Sequence, residues 1–104
     1  MLFSINSGLL EACVLALLSG EDSYGYKLTQ DVKVLLSISE STLYPVLKRL
    51  QTSGFLDTYD IPFDGRNRKY YQITAAGKRQ LKIYCQEWNS YKELIEKIFE
   101  GAQY

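Results

Sequence analysis

Apolar residues recur along this chain with two different periods, and the changes of period divide it into elements. From about Asn6 to Ser19, Leu9, Leu10, Cys13, Val14, Leu17 and Leu18 fall at helical spacing, and Gly20 ends the run. Ser23 is placed to cap a second helix reaching about Leu35, with Tyr24, Leu28, Val32 and Leu35 as its stripe. A polar break at Ser37–Ser39 follows. A third helix then runs to about Ser53-Gly54, with Leu43, Val46, Leu47 and Leu50 on its inner face. Proline lacks a backbone donor and clashes in helix interiors, so Pro45 depends on the cap. With Ser41 as cap, Pro45 falls where the amide has no intrahelical acceptor; with Ser39 as cap, a slight kink is expected.

The period then shortens to two. Phe55–Ile61 reads as a strand, Pro62–Asn67 as a turn, and Arg68–Ile73 as a returning strand with Tyr71 and Ile73 on one face. Thr74 caps a last helix reaching about Phe99. Its apolar residues Leu81, Tyr84, Trp88, Tyr91, Ile95 and Ile98 are spaced 3, 4, 3, 4, 3, a heptad seam of about two and a half heptads. This seam is read as a dimer interface, because the helix lies outside the unit formed by three helices and a hairpin; packing on its own chain is the alternative.

The order helix, helix, helix, hairpin, helix predicts a mainly α fold with a small β-hairpin. This is a winged helix-turn-helix over residues 1–73, followed by a dimerisation helix over residues 74–104. A helix-turn-helix sets its second helix, here the third of the chain, into the major groove, about 12 Å wide. With the leucines and Val46 turned inward, the outward set is Ser41, Thr42, Tyr44, Pro45, Lys48 and Arg49. Hydroxyls, an aromatic tip and cations suit phosphates and base edges. At the hairpin, Arg66, Arg68 and Lys69 are placed for the minor groove or phosphates.

Charge qualifies this picture. The 104 residues carry no net charge, with 12 basic and 12 acidic side chains, which by itself argues against nucleic acid. The charge is segregated, however. Ser41–Lys82 holds eight basic residues against three acids, a net of +5, and the remainder is −5. Basic residues therefore concentrate on the elements a winged helix would use. Lys48 and Arg49 on an ordinary solvated face, and Tyr70 and Tyr71 as simple strand formers, are the plainer readings.

Other chemistry is thin. There is no His, and Cys13 and Cys85 are far apart in apolar helical patterns, which is not metal-ligand spacing. Both are expected as small buried residues, with no metal and no cofactor. No Gly-rich phosphate loop or close carboxylate pair suggests an enzyme. The apolar run Leu9–Leu18 is interrupted by Glu11 and too short for a membrane span, so a cytoplasmic protein without a membrane partner is expected.

Three segments carry a family resemblance: YGYKL at Tyr24–Leu28, STLYPVLKRLQTSGFL at Ser41–Leu56 and GRNRKYYQITAAG at Gly65–Gly77. In order and spacing, from about Leu9 to Gly77, the chain resembles the PadR family of bacterial transcriptional regulators, and its single last helix resembles the short-tailed subgroup. The resemblance implies a homodimer in which the last helix packs on the partner, and an inverted-repeat operator bound, usually, as a repressor. It maps helix contacts onto Thr42, Tyr44 and Lys48 and wing contacts onto Arg66, Arg68 and Lys69. It also implies a small hydrophobic or aromatic effector in an apolar cavity at the dimer interface, with Trp88 at the matching position. A winged-helix protein–protein interaction module without DNA binding is the alternative function.

Overall fold

The computed structural model describes residues 3–104. Helix α1 (Ser7–Gly20) starts at Asn6, whose Oδ1 accepts from the Leu9 amide at 2.8 Å, satisfying one of the free donors of the first turn. After α1, Ser23–Tyr24 form a short strand, β1, and α2 (Gly25–Leu36) begins directly behind it. This corrects the role expected for Ser23. It does not cap α2; it pairs with Tyr71 and is buried, leaving Tyr24 at the cap position without a side-chain bond. The stripe of α2 also ends differently. Leu28 and Val32 are buried, but the next i+4 position is Leu36, which packs on the core while Leu35 is exposed.

Ser37, in the left-handed region at φ 56°, closes α2 with its amide on the Lys33 carbonyl. Helix α3 (Glu40–Thr52) follows, with Ser39 as cap. Of the two caps open in the sequence, the structure takes the one that leaves Pro45 inside the helix. Leu43, Val46, Leu47 and Leu50 are all buried.

Strands β2 (Leu56–Phe63) and β3 (Arg66–Ile73) pair antiparallel from Leu56 opposite Ile73 to Phe63 opposite Arg66. The six-residue turn expected from Pro62 to Asn67 thus shrinks to Asp64-Gly65, both at positive φ (50° and 74°). That is the two-residue hairpin turn whose twist matches the strands, and Asp-Gly is suited to it. Pro62 enters the ladder because β2 is an edge of the sheet, whose order is β1-β3-β2.

The core gathers Leu10, Val14, Leu15 and Leu18 of α1, the inner faces of α2 and α3, and Leu56, Tyr71 and Ile73. Each fully buried leucine is worth about 1.5–3 kcal/mol relative to an exposed one. Helix α4 (Ala75–Glu100) leaves this core through a tight junction. Thr74 Oγ1 accepts from the Gly77 amide at 3.0 Å and donates to the Gly54 carbonyl at 2.7 Å, tying the new helix to the end of α3. The first turns of α4 lie on α1, with Leu81 and Tyr84 packed against the core. From Trp88 onward the helix projects, and the radius of gyration is 15.9 Å, against about 13 Å for a compact chain of this length.

Both cysteines are free, but the expectation that both are buried does not hold. Cys13 is partly covered, and burial pushes its thiol pKa up; Cys85 is exposed. No helix is long and apolar enough to cross a membrane, and no cluster of metal-ligating side chains occurs among the described residues.

Candidate nucleic-acid interface

The first turn of α3 is rich in hydroxyls. Ser39 Oγ lies 3.0 Å from both Ser41 Oγ and Thr42 Oγ1, and all three residues are exposed. One turn on, Tyr44 is 47 % exposed and leans over Gly25, whose position a Cβ would share at 3.8 Å from the Tyr44 ring and hydroxyl. The tyrosine ring thus packs against the start of α2 and stays partly open to solvent.

Between Tyr44 and the hairpin lies an open groove of about 630 Å³. Its walls bring together Tyr44 with Arg66, Arg68 and Lys69, four of the residues expected from sequence to face nucleic acid. Tyr24, Tyr26 and Phe63 also line it. These three were missed by sequence reasoning. The signal available was the aromatic pair flanking Gly25 in the YGYKL segment, read there only as helix stripe and resemblance.

The remaining expected residues lie outside this groove. Ser41 and Thr42 are exposed at the helix start, and Lys48 is exposed one turn beyond Tyr44. Lys48 borders a separate shallow depression with Glu11, Pro45 and Arg49. Arg49 is engaged by its own chain: its Nε donates to Glu11 Oε1 at 3.0 Å, while Glu11 Oε2 accepts from the Tyr84 hydroxyl at 3.2 Å. Burial, and then the adjacent Glu11 carboxylate, push the Tyr84 phenol pKa up.

The wing cations differ in environment. Arg66 and Lys69 are exposed, with Lys69 Nζ 5.3 Å from the centre of the Tyr71 ring. Arg68 is half-buried, its guanidinium 3.7 Å from the Phe63 ring centre and 4.0 Å from that of Tyr24. On the same outer face Tyr70 stacks on Tyr59 at 5.4 Å and meets Tyr24 edge-on at 5.4 Å. Tyr59 donates to Asp22 Oδ2 at 2.6 Å, and this hydrogen bond is the main reason its pKa is pushed up to about 12.

The expected seam on α4 is split by the structure. Leu81 and Tyr84 contact their own chain, whereas Trp88, Tyr91, Ile95 and Ile98 are exposed together with Leu94 and Phe99. Where α4 parts from α1, a hollow of about 380 Å³ is lined by Leu9, Cys13, Leu81, Tyr84, Cys85 and Trp88.

Comparison with known proteins agrees with this architecture. The family model described as the transcriptional regulator PadR-like family matches residues 14–83, more than half of the chain. The crystal structure of smu.1704 from Streptococcus mutans is 43 % identical, with a TM-score of 0.89, covering 100 % of this chain and 99 % of the other. A PadR-like transcriptional regulator from Bacillus cereus is 32 % identical, with a TM-score of 0.82, covering 91 % of this chain and 95 % of the other. An uncharacterised protein of Lysinibacillus sphaericus is 36 % identical over 102 residues, covering 92 % of this chain and 93 % of its own length. Members of the matched family are transcriptional regulators, not enzymes. On the winged-helix fold and this match together, the protein belongs to the PadR-like family of transcriptional regulators.

Proposed function

We propose that this regulator binds double-stranded DNA sequence-specifically as a homodimer and represses from an inverted-repeat operator. Residues 1–73 read the DNA and residues 74–104 pair the subunits. The observation that carries the reading is the groove in which Tyr44 of α3 faces Arg66 and Lys69 of the wing, with exposed hydroxyls at the start of the same helix. The N-terminal turn of α3 supplies groups for base edges in the major groove, and the wing cations engage neighbouring phosphates or the minor groove. Lys48, one turn along α3, adds a phosphate contact.

Dimerisation is supported by the apolar face of α4, where Trp88, Tyr91, Ile95 and Ile98 are 36–69 % exposed. A monomer exposing so large an apolar stripe is poorly soluble, and a second copy covers it. A small aromatic effector fits the hollow beside Trp88, whose walls are apolar and partly aromatic.

The test is a salt titration of duplex binding followed by anisotropy, then footprinting on the protein's own promoter. A DNA reader loses affinity steeply with salt, in proportion to the phosphates neutralised. Binding to duplex that is absent, or insensitive to salt, would sink this reading and favour a protein partner for the same surface.

A further inference from the structure

Arg68 is the third residue of β3, and its sequence context alone suggests another phosphate contact. Its surroundings suggest different work. The guanidinium is held between Phe63, from the wing tip on β2, and Tyr24, from β1. Arg68 is diagonal to both in the sheet register, since Phe63 faces Arg66 and Tyr24 faces Tyr70, so the three side chains share one face. The file continues through Tyr70 and Tyr59 to Asp22, just ahead of β1. We infer that Arg68 is a positioning residue: it clamps the wing onto the segment that starts α2, and so sets the wing's distance from α3.

β1 pairs with β3 through only Ser23 and Tyr24, near the base of the hairpin, so backbone bonding leaves the tip unbraced. A planar, weakly hydrated guanidinium suits a slot between two rings, which a strongly hydrated ammonium does not fill. Arg66 and Lys69, by contrast, are exposed, and Lys69 Nζ stands 5.3 Å from the centre of a single ring, that of Tyr71. The phosphate contacts of the wing are therefore assigned to Arg66 and Lys69, and the geometry of the wing to Arg68.

This inference rests on the DNA-binding reading for one arm of its test and is independent of it in the other. In the first arm, full-length protein and its Arg68→Met, Arg68→Lys and Arg66→Ala variants are titrated with salt against one duplex. Methionine fills the slot and contacts aromatic rings without charge. Arg66→Ala should lower the salt slope by about one. Arg68→Met should leave the slope unchanged and bind at least as tightly as Arg68→Lys. A slope lower by about one in Arg68→Met, with Arg68→Lys the tighter binder, would overturn the clamp.

In the second arm, amide hydrogen exchange is measured without DNA. The amides of Arg66–Tyr70 should exchange several-fold faster in Arg68→Ala and at the wild-type rate in Arg66→Ala. Equal exchange in all three proteins also overturns the clamp. Should the wild-type chain bind no duplex, the DNA-binding reading falls and the exchange arm alone decides on Arg68.

Discussion

Arg49 on α3 and Glu11 on α1 form an ion pair at 3.0 Å, and the second oxygen of the same carboxylate holds the Tyr84 hydroxyl of α4. One side chain thereby joins the helix proposed to read DNA to the helix proposed to pair subunits. Glu11 is the charge that interrupts the apolar run of α1, and its side chain is 20 % exposed against 49 % for Arg49. The pair is half in solvent, so its worth is modest, and removing Glu11 also takes the acceptor from the partly buried Tyr84 hydroxyl. Glu11→Ala should destabilise the fold by about 1 kcal/mol. In a domain of this size that lowers Tm by roughly 4–8 °C. Glu11→Gln, which keeps an acceptor, should fall between. Thermal melts of the three proteins check this, and equal Tm values would show that the contact is incidental.

Two adjacent cations on α3 should behave differently on DNA. Arg49 is committed to Glu11, whereas Lys48 joins none of the ion pairs among the described residues. Lys48→Ala should lower the salt slope of duplex binding by about one, and Arg49→Ala by clearly less. The reverse order would mean that Arg49 leaves Glu11 when DNA is bound.

Tyr91 and Ile95 on α4 are 57 % and 36 % exposed, so charges placed there should not disturb the head. In a dimer seam the same charges would be buried without partners, which strongly disfavours association. The double variant Tyr91→Asp, Ile95→Asp should sediment as a monomer, melt close to wild type at low concentration and bind DNA poorly, because two linked heads share one operator. A variant that still sediments as a dimer would place the interface elsewhere.

Gly77 is buried in the first turn of α4, and a Cβ there would strike the Phe55 carbonyl and come within 2.7 Å of Ile73 Cγ1. The carbonyl is backbone and cannot step aside, so Gly77→Ala should cost about 1–3 kcal/mol by overpacking. Gly20, at the end of α1, has open space around the same position. Gly20→Ala should instead stabilise by about 0.4–1 kcal/mol through the unfolded chain. Urea unfolding of both variants tests the contrast in sign.

Tyr59 holds its proton through the bond to Asp22, with a pKa pushed from 10.0 to about 12. A phenol whose folded pKa is raised keeps its proton where the unfolded chain has released it, so stability falls as pH rises. The contribution is complete below pH 10 and is lost progressively between 10 and about 12. The stability difference between wild type and Tyr59→Phe should therefore shrink across that window, and difference absorbance should show one late-titrating tyrosinate missing from the variant. A stability difference that stays constant to pH 12 would mean the hydrogen bond is not formed in solution.

Much of this protein was legible in its residues because short-range rules govern them. The leucines of α3 repeat at 3.6-residue spacing, and Thr74 stands before a long apolar-periodic run, so both helices and the cap could be read directly. The same periodicity separated Tyr44 and Lys48 on the outward face from Leu43 and Leu47 on the inward one. Partnership across the chain was decided by the tertiary structure alone. Ser23 carries a good cap's chemistry, yet pairing with Tyr71, 48 positions away, makes it a strand. Arg66, Arg68, Lys69 and Arg49 are all cations in a basic region, and no local pattern distinguishes them. The fold does so by setting rings on both sides of Arg68 and a carboxylate beside Arg49, while leaving Arg66 and Lys69 in solvent. Sequence periodicity reports which face a side chain occupies; only packing reports whether its charge is already taken.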